Sequence, residues 1–358
     1  MSTATIEDAG SASIVPTTIL HQAQQTIKEL GTAELIDSPS YGNLHRSVRN
    51  KLISLRRYTH AFTLEPHVIR VEKVAENGNS NVYAVTLSGP LRHIGIRFVL
   101  REFKRVGLPA YQVRNEVAFM SFITQNSSAI PVPQVYHYKE HVDSQGPPFI
   151  AMQYVKGEPL SVAWRKYSEG QKEKMVSKLA ELVTWMGSMR GDGIGGLDKE
   201  HRLAETMGGS RLPNGGWALH HQVCYPIGPF QTTREYVLAC YDREIYYYEV
   251  MGYERRRSGK AVPKQRIEEL TSEKKAVAAD KNSYAVDEPF VLCHGDLNGR
   301  NIMVRGTEIV AVLGWDFAGF FPLSEIFVGG GNLVEAKNEA WKKENAKWVA
   351  KIQELVTL

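Results

Sequence analysis

The spacing of apolar residues changes character near residue 157, and that change limits the fold more than any other feature of the chain. Between 67 and 103 they come in short β-branched runs, V-I-R-V-E-K-V, N-V-Y-A-V-T-L and I-R-F-V-L-R-E-F, with Asn77-Gly78 as a hairpin signal between the first two. Three strands in succession with short connections predict an antiparallel sheet. A helix is predicted over about Tyr111 to Thr124, after which Pro131 and Pro133 hold the chain extended into P-Q-V-Y-H-Y. F-I-A-M-Q-Y-V adds a further strand that ends at Lys156-Gly157. Beyond it Met175, Leu179, Leu182, Val183 and Met186 recur on one face of a helix. Val334, Trp341, Trp348, Ile352 and Leu355 do the same in a last helix, about Leu333 to Val356. A β-rich part followed by an α-rich part predicts an α+β protein.

Between two apolar runs, F-V-L-C and I-V-A-V-L, lies the richest polar segment, Cys293-His294-Gly295-Asp296-Leu297-Asn298-Gly299-Arg300-Asn301-Ile302-Met303. Its Asp and Asn stand five apart across a loop. Phosphoryl transfer needs a carboxylate at the acceptor hydroxyl and a neutral oxygen ligand for a metal ion, both fixed on one short element, and this spacing supplies them. A polar turn whose Asp and Asn satisfy loop backbone groups has the same composition. Earlier in the chain Arg101 closes a strand, and Glu116 sits three, four and seven residues from Val113, Met120 and Ile123. A helix therefore places that carboxylate beside an apolar stripe, where it needs a cationic partner.

H-G-D-L-N-G-R-N-I-M-V resembles the catalytic loop of the aminoglycoside phosphotransferases and choline-kinase-like enzymes, a relative of the protein-kinase loop. The resemblance runs over roughly residues 67–330. It implies a two-lobed protein-kinase-like fold, with a small antiparallel-sheet lobe and a larger, mainly helical one. It divides the chain into an extension (1–62), a first lobe with the phosphate loop and the hinge at its end (63–156), and a second lobe with the catalytic loop and substrate helices (157–358). On this resemblance the catalytic residues are Asp296, as base, and His294, which structures the loop. Asn301 becomes a magnesium ligand. Gly78, Ser80 and Asn81 become the hairpin over the nucleotide phosphates, where a Gly lets backbone N–H groups approach. Arg101 becomes the phosphate-gripping cation with Glu116 as its helix partner, and the backbone of Gln153, Tyr154 and Val155 becomes the hinge that meets adenine. The activity implied is ATP- and magnesium-dependent transfer of the γ-phosphoryl group to a hydroxyl of a small molecule.

The family's second motif, Ile-Asp-Trp-Glu or Ile-Asp-Trp-Gly, carries the aspartate that binds the metal ions. Here the frame reads Val312-Leu313-Gly314-Trp315-Asp316-Phe317-Ala318-Gly319, so Gly314 stands in the aspartate's place. Asp316 lies two residues on, which in a strand returns to the same face about 6.5 Å farther along. It is the alternative metal ligand if the backbone shifts. Three readings stay open: a working kinase that uses Asp316, a pseudokinase that binds nucleotide or serves as a scaffold with little turnover, and a lesion in an otherwise active lineage.

Glu235, Tyr236, Tyr241, Asp242, Glu244, Tyr246, Tyr247, Tyr248 and Glu249 fall where the family places its variable substrate helices, and aromatic faces with carboxylates suit a cationic amine. Arg255 to Lys260, with Lys264 and Arg266, form a basic stretch that suits an anion or a solvated loop. Forty-three basic against 39 acidic residues, a formal charge of +4, is too balanced for a nucleic-acid surface. Cys224, Cys240 and Cys293 have neither an even count nor C-x-x-C spacing, which excludes a disulfide framework or zinc site and predicts free thiols. No eighteen-residue apolar run and no basic n-region before an apolar run is present. A cytoplasmic protein that engages no membrane is expected. No P-loop, H-E-x-x-H helix or G-x-S-x-G elbow offers a rival chemistry.

Overall fold

The computed structural model describes residues 19, 22–27, 68–76, 80–91, 95–104, 109–142, 146–209, 225–257, 264–280, 282, 284, 288–327, 333 and 338–357. The first lobe is a five-stranded antiparallel sheet of order β1-β2-β3-β5-β4, from β1 (Val68–Glu76), β2 (Ser80–Leu91), β3 (Gly95–Phe103), β4 (Val135–Lys139) and β5 (Phe149–Gln153). The expected three-strand meander is its first half. Asn77-Gly78 and the rest of that hairpin turn lie outside the described residues.

Alternation along β2 and β3 gives this sheet two faces with different tasks. Tyr83, Val85, Leu87, Phe98 and Leu100 point outward, where Ile19 and Ala23 cover them; all seven are at most 5% exposed. Residues 22–27 are helical, and the fully buried Gln22 donates from Nε2 to the Pro147 carbonyl at 3.3 Å. Part of the expected extension is thus built into the first lobe. The inner face carries Val99, Arg101 and Phe103 toward α1 (Pro109–Asn126), whose Val113, Phe119, Met120 and Ile123 are fully or almost fully buried.

After β5 the chain passes through β6 (Glu158–Pro159), α2 (Leu160–Ala163) and the long α3 (Glu169–Ser188). A capping box starts α3: Ser168 accepts from the Gln171 amide while Gln171 reaches back to the Ser168 amide. Its Met175, Leu179, Leu182, Val183 and Met186 are buried as the periodicity predicts. The short strands β7 (Gly196–Leu197) and β8 (Leu203–Ala204) precede α4 (Thr233–Arg257) and α5 (Lys264–Ala279). α5 was not apparent in the sequence, since only Leu270 of its residues is buried. β9 (Phe290–Cys293), β10 (Ile302–Arg305), β11 (Glu308–Val312) and β12 (Gly319–Pro322) follow, and α6 (Glu339–Leu355) closes the fold. α6 begins later than the sequence predicts, at an Asn338 cap that accepts from the Trp341 amide. Its Trp348 meets Trp164 edge-on, with ring centroids 5.7 Å apart. No described helix is long and apolar enough to cross a membrane. The described cysteines, Cys240 and Cys293, are buried thiols outside any disulfide; Cys224 lies outside the described residues.

Candidate active site

β9 delivers the chain into the loop 294–301 and β10 takes it away. β9 pairs with β12, and β10 with β11, so the loop is anchored on both sides to the strands that flank the 313–318 turn. Gly295 has φ +79°, and a Cβ there would stand 2.3 Å from the Phe317 carbonyl oxygen, so the two segments touch only because the residue is glycine.

His294 is fully buried. Its Nδ1 accepts from the Asp296 amide at 3.2 Å, which puts the ring proton on Nε2, where it is donated to the Leu313 carbonyl at 2.9 Å. Its ring centroid lies 4.4 Å from that of Trp315. Burial pushes its pKa down to about 4, so the imidazole is neutral at physiological pH and acts as a strut. Asp296 is held through both carboxylate oxygens: Asn298 Nδ2 donates at 2.6 Å and Asn301 Nδ2 at 2.9 Å. Burial, helped by the charge of Asp316, raises its pKa to about 6 against the pull of those amides and of Arg300.

Arg101 is buried in a polar network of its own. Its Nε donates to Ser80 Oγ at 3.0 Å, Nη1 donates to Glu116 Oε2, and Nη2 is 3.3 Å from Asp316 Oδ2. Burial raises the pKa of Glu116, and Asp316 adds to the effect, while Arg101 opposes it. Residues 101, 116 and 316 therefore converge; Glu116 beside Arg101 was expected of strand and helix, whereas Asp316 was expected beside Asn301.

Two expected residues stand elsewhere. Asn81 faces Glu102 across the strand pair and hydrogen-bonds its carboxylate. Since neighbouring strand residues point to opposite faces, Asn81 is on the outer side while Ser80 is in the cleft. Asp316 is 4% exposed and turned to Arg101, with Gln112 Nε2 at 3.5 Å, rather than to Asn301. Of the expected hinge, the Gln153 amide donates to Gln134 O at 2.8 Å, at the end of the β4–β5 pairing away from their connection. Tyr154 lies under the Arg97 guanidinium, 4.3 Å from ring centroid to Cζ, and Val155 is half-buried. Gly78 lies outside the described residues.

Asn115 is the functional residue that sequence reasoning missed. Its Nδ2 donates to Ala318 O at 2.8 Å and approaches Asp316 O and Trp315 O at 3.3 and 3.4 Å, while its Oδ1 accepts from the Leu197 amide at 3.3 Å. It staples α1 to the turn that carries Asp316. The available signal was a polar stripe, Gln112, Asn115 and Glu116, at three- and four-residue spacing on a helix otherwise apolar on that side.

The acids and tyrosines of α4 are mostly engaged within the fold. Glu235 accepts from the Gln231 and Thr232 amides, Tyr236 donates to the buried Glu325 at 2.8 Å, Tyr241 donates to Glu273 at 3.2 Å, and Asp242 pairs with Lys274. Glu244 is buried, which raises its pKa to about 7 against Arg266 and Arg243. Arg266 lies in α5, not in a loop, and pairs with Glu269 at 3.3 Å.

Magnesium takes oxygen ligands, normally one or two carboxylates with phosphate and water. In the cleft both oxygens of Asp296 are held by amides, and Glu116 and Asp316 face Arg101. Gly314 has φ +77°, and a Cβ built there would lie 3.2 Å from the Asn301 side-chain amide. The position that would set a carboxylate beside Asn301 thus has none. Among the described residues no group of three or more His, Cys, Asp and Glu could hold a metal ion. The residues present do not fit a cation held by the protein.

Residues 71–325 match the model of the phosphotransferase enzyme family, APH. No curated protein matches the sequence. Among solved structures the chain is similar to a thermostable mutant of aminoglycoside phosphotransferase APH(4)-Ia in its apo form, at 16% identity and a TM-score of 0.45 over 81% of this chain and 77% of that one. It is also similar to APH(2")-IIa in ternary complex with streptomycin and ATP, at 12% identity and a TM-score of 0.45 over 87% and 86%.

Proposed function

Because the chain belongs to the phosphotransferase enzyme family, we propose that it transfers the γ-phosphoryl group of ATP to a hydroxyl of a small molecule, with Asp296 as the base. The observation that carries this reading is the state of Asp296: a carboxylate fixed by two amides, with a pKa raised to about 6 by burial and by the charge of Asp316, which itself pairs with a guanidinium anchored at three points. Near pH 7 such a group is ionised yet close enough to neutrality to take a proton.

In the step itself Asp296 accepts the acceptor's hydroxyl proton as that oxygen bonds to the γ-phosphorus. The bond from phosphorus to the β–γ bridging oxygen breaks, and ADP leaves. Arg101 carries five N–H donors, of which Ser80, Glu116 and Asp316 engage three, and the remaining two serve the phosphates. No step is assigned to a metal held by the protein. The backbone of Tyr154 and Val155 offers the hinge edge for the base.

The test is product formation from ATP with a panel of sugar alcohols and amino-alcohols. Asp296→Asn should lower kcat by about 10²–10⁴-fold. Turnover within twofold of the parent in that variant would remove Asp296 from the mechanism. The carboxylates of α4 that would attract a cationic amine are largely paired or capping, so neutral polyols belong in the panel beside amines.

A further inference from the structure

The mismatch between this cleft and a bound cation has a consequence for the nucleotide itself. A divalent ion helps a phosphate chain into a site in two ways: protein carboxylates hold the ion in place, and the ion offsets the repulsion between those carboxylates and the phosphates. Neither condition is met here. Beside Asn301 position 314 is a glycine and adds no carboxylate, and the carboxylate that does stand there, Asp296, has both oxygens taken by the Asn298 and Asn301 amides. The next carboxylate along, Asp316, has its Oδ2 already 3.3 Å from a permanently charged guanidinium, with Gln112 Nε2 3.5 Å from that same oxygen.

From this donor arrangement we infer that the chain binds its nucleotide without a divalent cation held by the protein, and that position 314 decides this. The inference rests on the nucleotide-binding reading above. Position 314 is also built to be reversed. Its left-handed backbone, φ +77° and ψ 50°, is one that aspartate adopts more readily than most side chains. The atoms nearest an added Cβ are those of the flexible Asn301 amide, 3.2 Å away, which can yield by a few tenths of an ångström. A carboxylate at 314 would stand beside the Asn301 oxygen and offer a cation two ligands from one corner of the cleft.

The experiment is calorimetric titration of the full chain with ADP, once with magnesium and once with EDTA. The parent protein should give dissociation constants within about threefold of each other, because no coupling between cation and nucleotide runs through the protein. By reciprocity, ADP should not make the protein complex hold Mn²⁺ more tightly than ADP does alone, as read by electron paramagnetic resonance. Gly314→Asp should bind ADP about tenfold or more tightly with magnesium than with EDTA, a coupling of about 1.4 kcal/mol. Gly314→Ala, which adds the methyl without the ligand, should remain indifferent to the cation. Tenfold tighter binding by the parent with magnesium would overturn the inference and leave the nucleotide reading intact. Absence of ADP binding in both buffers would overturn that reading and the inference with it.

Discussion

Asp296 sets the pH dependence of the reaction. The group must be ionised to take a proton and its pKa is raised to about 6, so the rate should climb as pH rises through 6 and level off above it. One unit below that point it should stand about tenfold under the plateau. A profile flat down to pH 4.5 would show that another group takes the proton. His294 cannot supply that limb, because its buried ring, with pKa near 4, stays neutral across the range. Arg101→Lys keeps the charge and loses the fork that reaches Ser80, Glu116 and Asp316 together; ADP should bind about tenfold more weakly, about 1.4 kcal/mol, by the same calorimetry. At this scale the sequence was most informative where residues are close along the chain. The loop 294–301 announces its chemistry by spacing alone. Which of Ser80 and Asn81 turns its side chain to Arg101 was not legible, because adjacent strand residues face opposite ways and the parity is readable only once Ser80 is seen on Arg101.

Two elements that share no sequence neighbourhood, α1 and the 315–318 turn, meet through Gln112, Glu116 and above all the Asn115 amide, which reaches three backbone carbonyls. Asn115→Ala removes the donor to Ala318, Asp316 and Trp315 and leaves the Leu197 amide without its acceptor, so it should lower stability by about 1–3 kcal/mol. The nucleotide KM should rise as well, because Glu116 and Asp316 would no longer be held in common register about Arg101. Asn115→Ser, which keeps a short polar group there, should recover part of both losses. Unchanged melting and KM in Asn115→Ala would show the staple to be idle. Strands β1 to β5 and helices α1, α3 and α6 were legible because their apolar residues follow one period over enough length. α5 was not, because all but one of its residues are exposed or only partly buried and a polar helix shares its composition with a loop. β12 escaped because all four of its residues are buried, so no alternation marks it.

Across the whole molecule, cover for the core comes from beyond the span that identifies the family. Residues 71–325 match it, yet Ile19 and Ala23 close the outer face of the first sheet, and Trp348 and Ile352 of α6 close the second lobe. Ile19→Asp puts a charge into a site with no exposure and should lower the melting temperature by roughly 5–10 °C, with added binding of an apolar dye. Melting within a degree of the parent would show the segment to be dispensable. The Arg101 network is divided the same way along the chain. Its Ser80 and Glu116 partners belong to the first lobe, while Asp316 comes from the second. On a ribosome that adds about 5–20 residues per second, the first sheet is finished roughly 10–40 s before the last turn of α6 is made. During that interval the nascent lobe has its guanidinium paired to one carboxylate only, so the cleft matures in two instalments, and assembly of the second lobe is what brings the arginine its second anion.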